Sequence, residues 1–152
     1  MNNNDLLNQL LGIQKLHVVK SEFIGEVKLH LEVASTLAVA SCPDCGRVSN
    51  QVHDESEAQM IRDLSIAERQ SYLVYRARRF KCEYCNKTFV ERVEWKRPNV
   101  SYTERYERYI YQRVRRESVS QVAQDEGLSE EAVQGIFERW AKKRSPSAAG
   151  RS

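Results

Sequence analysis

A chain of 152 residues, 41% hydrophobic and 30% charged, has room for one ordinary domain or two small ones and excludes a large multidomain enzyme. Its 24 Lys and Arg against 21 Asp and Glu leave a net charge of only +3, a weak global argument for a nucleic-acid partner. No apolar run reaches the ~18 residues of a membrane span and no basic leader precedes a cleavage site, so a soluble, cytoplasmic protein with no membrane partner is expected.

In chain order, residues 5–12 predict a short helix. Alternating apolar and polar residues at Leu16-His17-Val18-Val19 and from Val27 to Val33 then predict half-buried strands. A further strand from Ser71 to Phe80 leads into a cysteine pair, and Thr88-Phe89-Val90-Glu91 leads out of it. The character changes around Pro98: Ser101-Tyr102-Thr103-Glu104 fits a capping box, and the residues after it read as helix. The expected fold class is α+β, a small zinc-stabilised antiparallel β module over residues 1–97 followed by a three-helix helix-turn-helix module over 98–144. Residues 145–152, rich in Ser, Ala and Gly, read as a disordered tail.

All four cysteines fall into two Cys-x-x-Cys pairs, Cys42/Cys45 and Cys82/Cys85, with 36 residues between the pairs. Two intervening residues let both sulfurs of a pair reach one tetrahedral ion at ~2.3 Å, and two such turns close a structural zinc site with no open position. Gly46 and Asn86, each directly after a pair, tolerate the positive φ that a tight metal knuckle uses. Zn2+ is the expected cofactor. A redox pair, disulfides, buried free thiols and an iron centre with the same ligands are the competing readings, while His17, His30 and His53 read as ordinary surface histidines. A closed site holds a fold together and activates no water.

In the C-terminal part, Tyr102, Tyr106, Tyr109, Ile110 and Val114 recur at helical spacing and predict a first helix of about 15 residues. Ser118 and Gln121 start a second helix that Gly127 ends. Ser129 caps a third, whose Val133, Ile136, Phe137 and Trp140 form a buried stripe. This is a helix-turn-helix, in which the last helix enters the major groove of double-stranded DNA. Gln134 is the candidate base reader. Ser129, Arg139, Lys142, Lys143, Arg115 and Arg116 are candidate DNA contacts on the helices, and Arg76, Arg78, Arg79 and Lys81 on the zinc module. Glu130 and Glu131 stand where phosphates would repel them. A helical trio used for protein contacts, and a solvated arginine-bearing strand, therefore remain alternatives.

The segments CPDCG, IRDLS, YRARRFKCEYCNKTFVE and SYTERYERYIYQRVRRESVSQVAQDEGLSEEAVQGIFERW resemble, in order, the N-terminal portion of bacterial insertion-sequence transposases of the ISL-three type, over roughly residues 10–143. The resemblance implies a zinc finger and a helix-turn-helix that together recognise the element's terminal inverted repeats. It places Cys42, Cys45, Cys82 and Cys85 as ligands and Val119 to Trp140 as the DNA-reading unit. In the family a long catalytic domain with three metal-holding acidic residues comes next, whereas this sequence ends about ten residues after Trp140. The expectation is a truncated transposase that binds element ends without catalysis of its own, is not an enzyme, and represses transposition by competition. Its alternative is a module that dimerises or docks on a full-length transposase.

Overall fold

The computed structural model describes residues 3–144, so the expected tail at 145–152 lies outside the described residues. Helix α1 (Asn3–Leu11) places Leu7 and Leu11 four residues apart, on one face, against a sheet core. The strands beneath it are β1 (Leu16–Ile24) and β2 (Lys28–Ser35), an antiparallel hairpin. A bulge between Val18 and Lys20 interrupts the ladder, and α1 takes up the released backbone groups. Val18 N–H donates to Asn8 Oδ1 at 2.6 Å, and Asn4 Nδ2 donates to the Val19 carbonyl at 3.3 Å.

After short strands β3 (Ala40–Ser41), β4 (Val48–Ser49) and β5 (Val52–Glu55), the chain returns as β6 (Gln59–Ile66) and β7 (Arg69–Tyr75). These complete a four-stranded sheet of order β1-β2-β7-β6. Along β2, Leu29, Leu31 and Val33 are buried while Lys28 and Glu32 are exposed, the two-residue period of a strand covered on one side. With Ile61, Leu73 and Tyr75 they form the core under α1, and each such aliphatic side chain contributes about 1.5–3 kcal/mol by leaving water.

Two sequence expectations need correction here. The module is not purely antiparallel, because β2 and β7 run parallel, Lys28 opposite Gln70 through Glu32 opposite Val74. A parallel pair needs a long crossover, and the cysteine-bearing excursion plus β6 supplies it. Nor is Ser71 to Phe80 one strand. It breaks at Arg76–Ala77, where Ser56 and Ala77 exchange bonds of 2.8 and 2.9 Å, and resumes as β8 (Arg78–Cys82) in a second sheet, β5-β8-β9, with β9 (Lys87–Val90). Tyr75 must serve the first core and Phe80 the second, so the chain turns between them.

The free edge of β6 is covered rather than left to aggregate. Arg62 N–H donates to the Ser101 carbonyl and Thr103 N–H to the Arg62 carbonyl, both at 2.9 Å. This uses up the stretch expected to begin a helix at Ser101, and the N-cap of α2 (Glu104–Val114) is instead Thr103, whose side chain accepts from Tyr106 N–H. Helices α3 (Val119–Glu126) and α4 (Glu130–Arg144) complete the module. Ser118 caps α3, Gly127 ends it at φ +68°, and Ser129 accepts from Ala132 N–H at the start of α4. Tyr106, Ile110, Val122, Ala123, Val133, Ile136 and Trp140 make the helical core.

Candidate metal centre and nucleic-acid interface

The first cysteine pair lies on the turn between β3 and β4 and the second on the turn between β8 and β9. Each turn closes on itself: Gly46 N–H donates to the Cys42 carbonyl and Asn86 N–H to the Cys82 carbonyl, both at 2.8 Å. Gly46 (φ +76°) and Asn86 (φ +57°) take the left-handed conformation expected of them. The two knuckles meet because Ser49 Oγ donates to the Lys81 carbonyl and Phe80 stacks on Phe89 beneath the sulfurs, centroids 5.9 Å apart.

All four Sγ atoms lie within 4.8 Å of one another, with Cys42–Cys85 at 4.0 Å and Cys45–Cys82 at 3.7 Å. Four sulfurs at ~2.3 Å from a tetrahedral ion stand about 3.8 Å apart, so the cluster fits a metal ion. Cys85 N–H lowers Cys82 to about 7, while the neighbouring Cys45 sulfur, with burial and the other thiols, pushes Cys85 up to about 12. Four thiolates at this distance repel unless a cation sits among them.

On the helical module, Gln134 is exposed on α4, its Nε2 donating to Glu138 at 3.1 Å. It lies in an open groove with Glu130, Glu131, Gly135 and Val119. The start of α3 and the exposed stripe of α4 thus share one surface, and three carboxylates border the candidate reader. Arg115 and Arg116 are exposed where α2 gives way to α3, and Lys142 is exposed near the end of α4. Ser129 is engaged as a cap. Arg139 and Lys143 are not on the Gln134 stripe: Arg139 pairs with Glu107 at 2.5 Å and Lys143 with Glu104 at 3.7 Å, both on α2.

The basic run of the zinc module is largely neutralised in place. Arg78 forms a two-point pair with buried Glu91 at 2.9 and 2.6 Å, and Arg79 a two-point pair with Asp54. Arg76 reaches the Ser56 carbonyl at 3.3 Å and stays exposed, and Lys81 is half-buried. The sequence did not single out Arg47, whose guanidinium lies 3.6 Å from the centre of the exposed Tyr84 ring beside the metal knuckles.

One buried network, also unforeseen, fixes the helices to the sheet. Arg62 of β6 sits between the Tyr72 and Tyr106 rings and donates to the Glu126 carbonyl at 3.0 Å and carboxylate at 3.3 Å. Glu126 also accepts from the Tyr106 and Tyr109 hydroxyls, both at 2.8 Å, and from Arg113 at 3.3 Å. Beside it, Asp63 holds Thr103 and Arg105.

Compared with known families, residues 38–85 match the zinc finger of transposases IS204, IS1001, IS1096 and IS1165, and residues 91–141 match the helix-turn-helix domain of transposase family ISL3. Strands β1 and β2 precede both ranges. Among curated proteins and solved structures, none is similar enough to the chain to count as a match. No helix of the described residues is long and apolar enough to cross a membrane.

Proposed function

The chain belongs to the ISL3 transposases through their zinc finger and their helix-turn-helix, in that order, and from this premise we propose that it recognises the terminal inverted repeats of an insertion element. The observation that carries the reading is the helix-turn-helix geometry. The caps at Ser118 and Ser129 and the left-handed Gly127 present the exposed stripe of α4 as a groove-reading helix.

In this reading Gln134 reads adenine through two hydrogen bonds once it leaves Glu138, and Arg115, Arg116 and Lys142 neutralise phosphates at the flanks. On the zinc module, Arg76 and Lys81 carry the phosphate contacts, since Arg78 and Arg79 each already hold a carboxylate. Zn2+ in the thiolate cluster supplies cohesion, holding the two knuckles in one unit. We assign strand cleavage to none of the described residues. Bound to element ends, the chain competes there with a catalytic transposase and represses transposition.

The test is a competition assay in which a labelled element-end duplex is challenged with a scrambled duplex of equal composition. The reading expects the element end to win, and a preference abolished by Gln134→Ala. Equal competition by both duplexes counts against it. The second reading, a surface for dimerisation or for docking a full-length transposase, draws on Glu130, Glu131 and Glu138 around Gln134, which repel phosphates unless they accept from cytosine amino groups. It expects self-association that survives the same mutation.

A further inference from the structure

The side of α4 turned away from the Gln134 stripe gathers positive charge around Trp140. Three cations lie over its indole ring: Arg97 from the linker at 5.4 Å, Arg108 from α2 at 5.7 Å and Lys143 from α4 at 4.8 Å. Arg139 joins them through Glu107, and Lys96 through its bond to the Arg97 carbonyl. Against these five cations, two carboxylates face the ring among the described residues. Glu107 is fully buried, accepts from the Trp140 indole N–H at 3.4 Å and ties Arg97 and Arg139 together from below. Glu104 is shared between Arg108 and Lys143 at 3.9 and 3.7 Å, distances too long to neutralise either fully.

The patch is therefore preorganised and undercompensated. Gathering like charges costs energy that a flat indole face and one buried carboxylate only partly offset. The cations come from three separate segments and converge at one place, which a merely solvated charged face does not require. The Gln134 stripe, in contrast, is bordered by three carboxylates, which work against a polyanion there.

Resting on the DNA-binding reading above, we infer that the Arg97, Arg108 and Lys143 cage around Trp140 is a second contact surface, on a different side of the helical module from the Gln134 stripe, which grips DNA backbone phosphates outside the groove entered by α4. The occupant is a phosphodiester backbone, bound without regard to sequence, and the cage sets affinity while the Gln134 stripe sets choice.

The test measures binding of the full zinc-loaded chain to a fluorescent random-sequence duplex over a series of salt concentrations. Arg108→Gln with Lys143→Gln is the variant, as both side chains are about half exposed and glutamine keeps most of the stem that lies against Trp140 while removing the charge. Each lost phosphate contact lowers the slope of log K against log salt by about 0.9, so the double variant loses nearly 2 and binds all duplexes more weakly. A charge-matched control, Lys20→Gln with Lys28→Gln on the β1–β2 hairpin, keeps the wild-type slope. Equal slopes and affinities for wild type and cage variant overturn the inference while leaving DNA binding intact, whereas a wild type without salt-dependent binding overturns both. Preferential binding of polyglutamate over duplex, lost in the cage variant, assigns the surface to an acidic protein segment and likewise overturns it.

Discussion

A buried carboxylate must have its oxygens satisfied, and Glu126 is served by Arg62, Tyr106, Tyr109 and Arg113 from two other elements. Removing one cation from such a site leaves the rest of the charge buried. Arg62→Met is accordingly expected to destabilise the protein by about 3 kcal/mol in urea unfolding, far more than an exposed arginine would. Arg113 acts more through solvent-side partners. Its hydrogen bonds hold the carboxyls of Glu117 and Asp125 below their usual range. Groups lowered on folding contribute stability above their unfolded pKa and lose it as pH falls through the folded one. Arg113→Gln is therefore expected to be less stable than wild type at about pH 7, with a gap that narrows as the pH drops below about 4. A gap that widened on acidification would contradict the assigned pairs.

At the scale of elements, the helix boundaries rest on local chemistry that substitution can reach. Gly127 adopts φ +68°, and a Cβ there would also stand 2.9 Å from Gln70 Nε2. Gly127→Ala should cost about 1–2 kcal/mol, and Ser118→Ala about 1 kcal/mol through loss of the α3 cap. Thermal unfolding of the two variants beside wild type measures both. These features were legible because a cap, a left-handed glycine and a 3.6-residue stripe are written within a few positions of each other, as are the two residues between paired cysteines. Features that depend on distant parts of the chain were not. Nothing near Arg76 announces that the strand changes sheets there. Ser101 matches a capping box, yet its carbonyl goes to the edge of β6 and Thr103 becomes the cap. Arg78, Arg79 and Arg139 read as free cations in sequence because Glu91, Asp54 and Glu107 lie 13, 25 and 32 positions away. Arg97 had no periodicity to single it out, and only the approach of α2 and α4 to the linker sets it over Trp140.

At the scale of the molecule, three cores are distinct: one under α1, one among α2, α3 and α4, and a small one made of Cys42, Phe80, Cys82 and Phe89. The last is the smallest, and we expect it to depend on an ion among its sulfurs. Chelation should then unfold β3–β4 and β5-β8-β9 while the four-stranded sheet and helices survive, as amide exchange would show. The Arg62–Glu126 network keeps the helix-turn-helix fixed on the sheet from which the metal ribbon emerges, so the two modules share one frame. The zinc module and the helices are both expected to touch it. Hydroxyl-radical footprinting of the zinc-loaded chain on an element-end duplex tests this most directly. Two separate protected segments are predicted, one of which disappears on chelation. A single segment that chelation leaves unchanged, or no protection at all, would contradict a two-module grip on DNA.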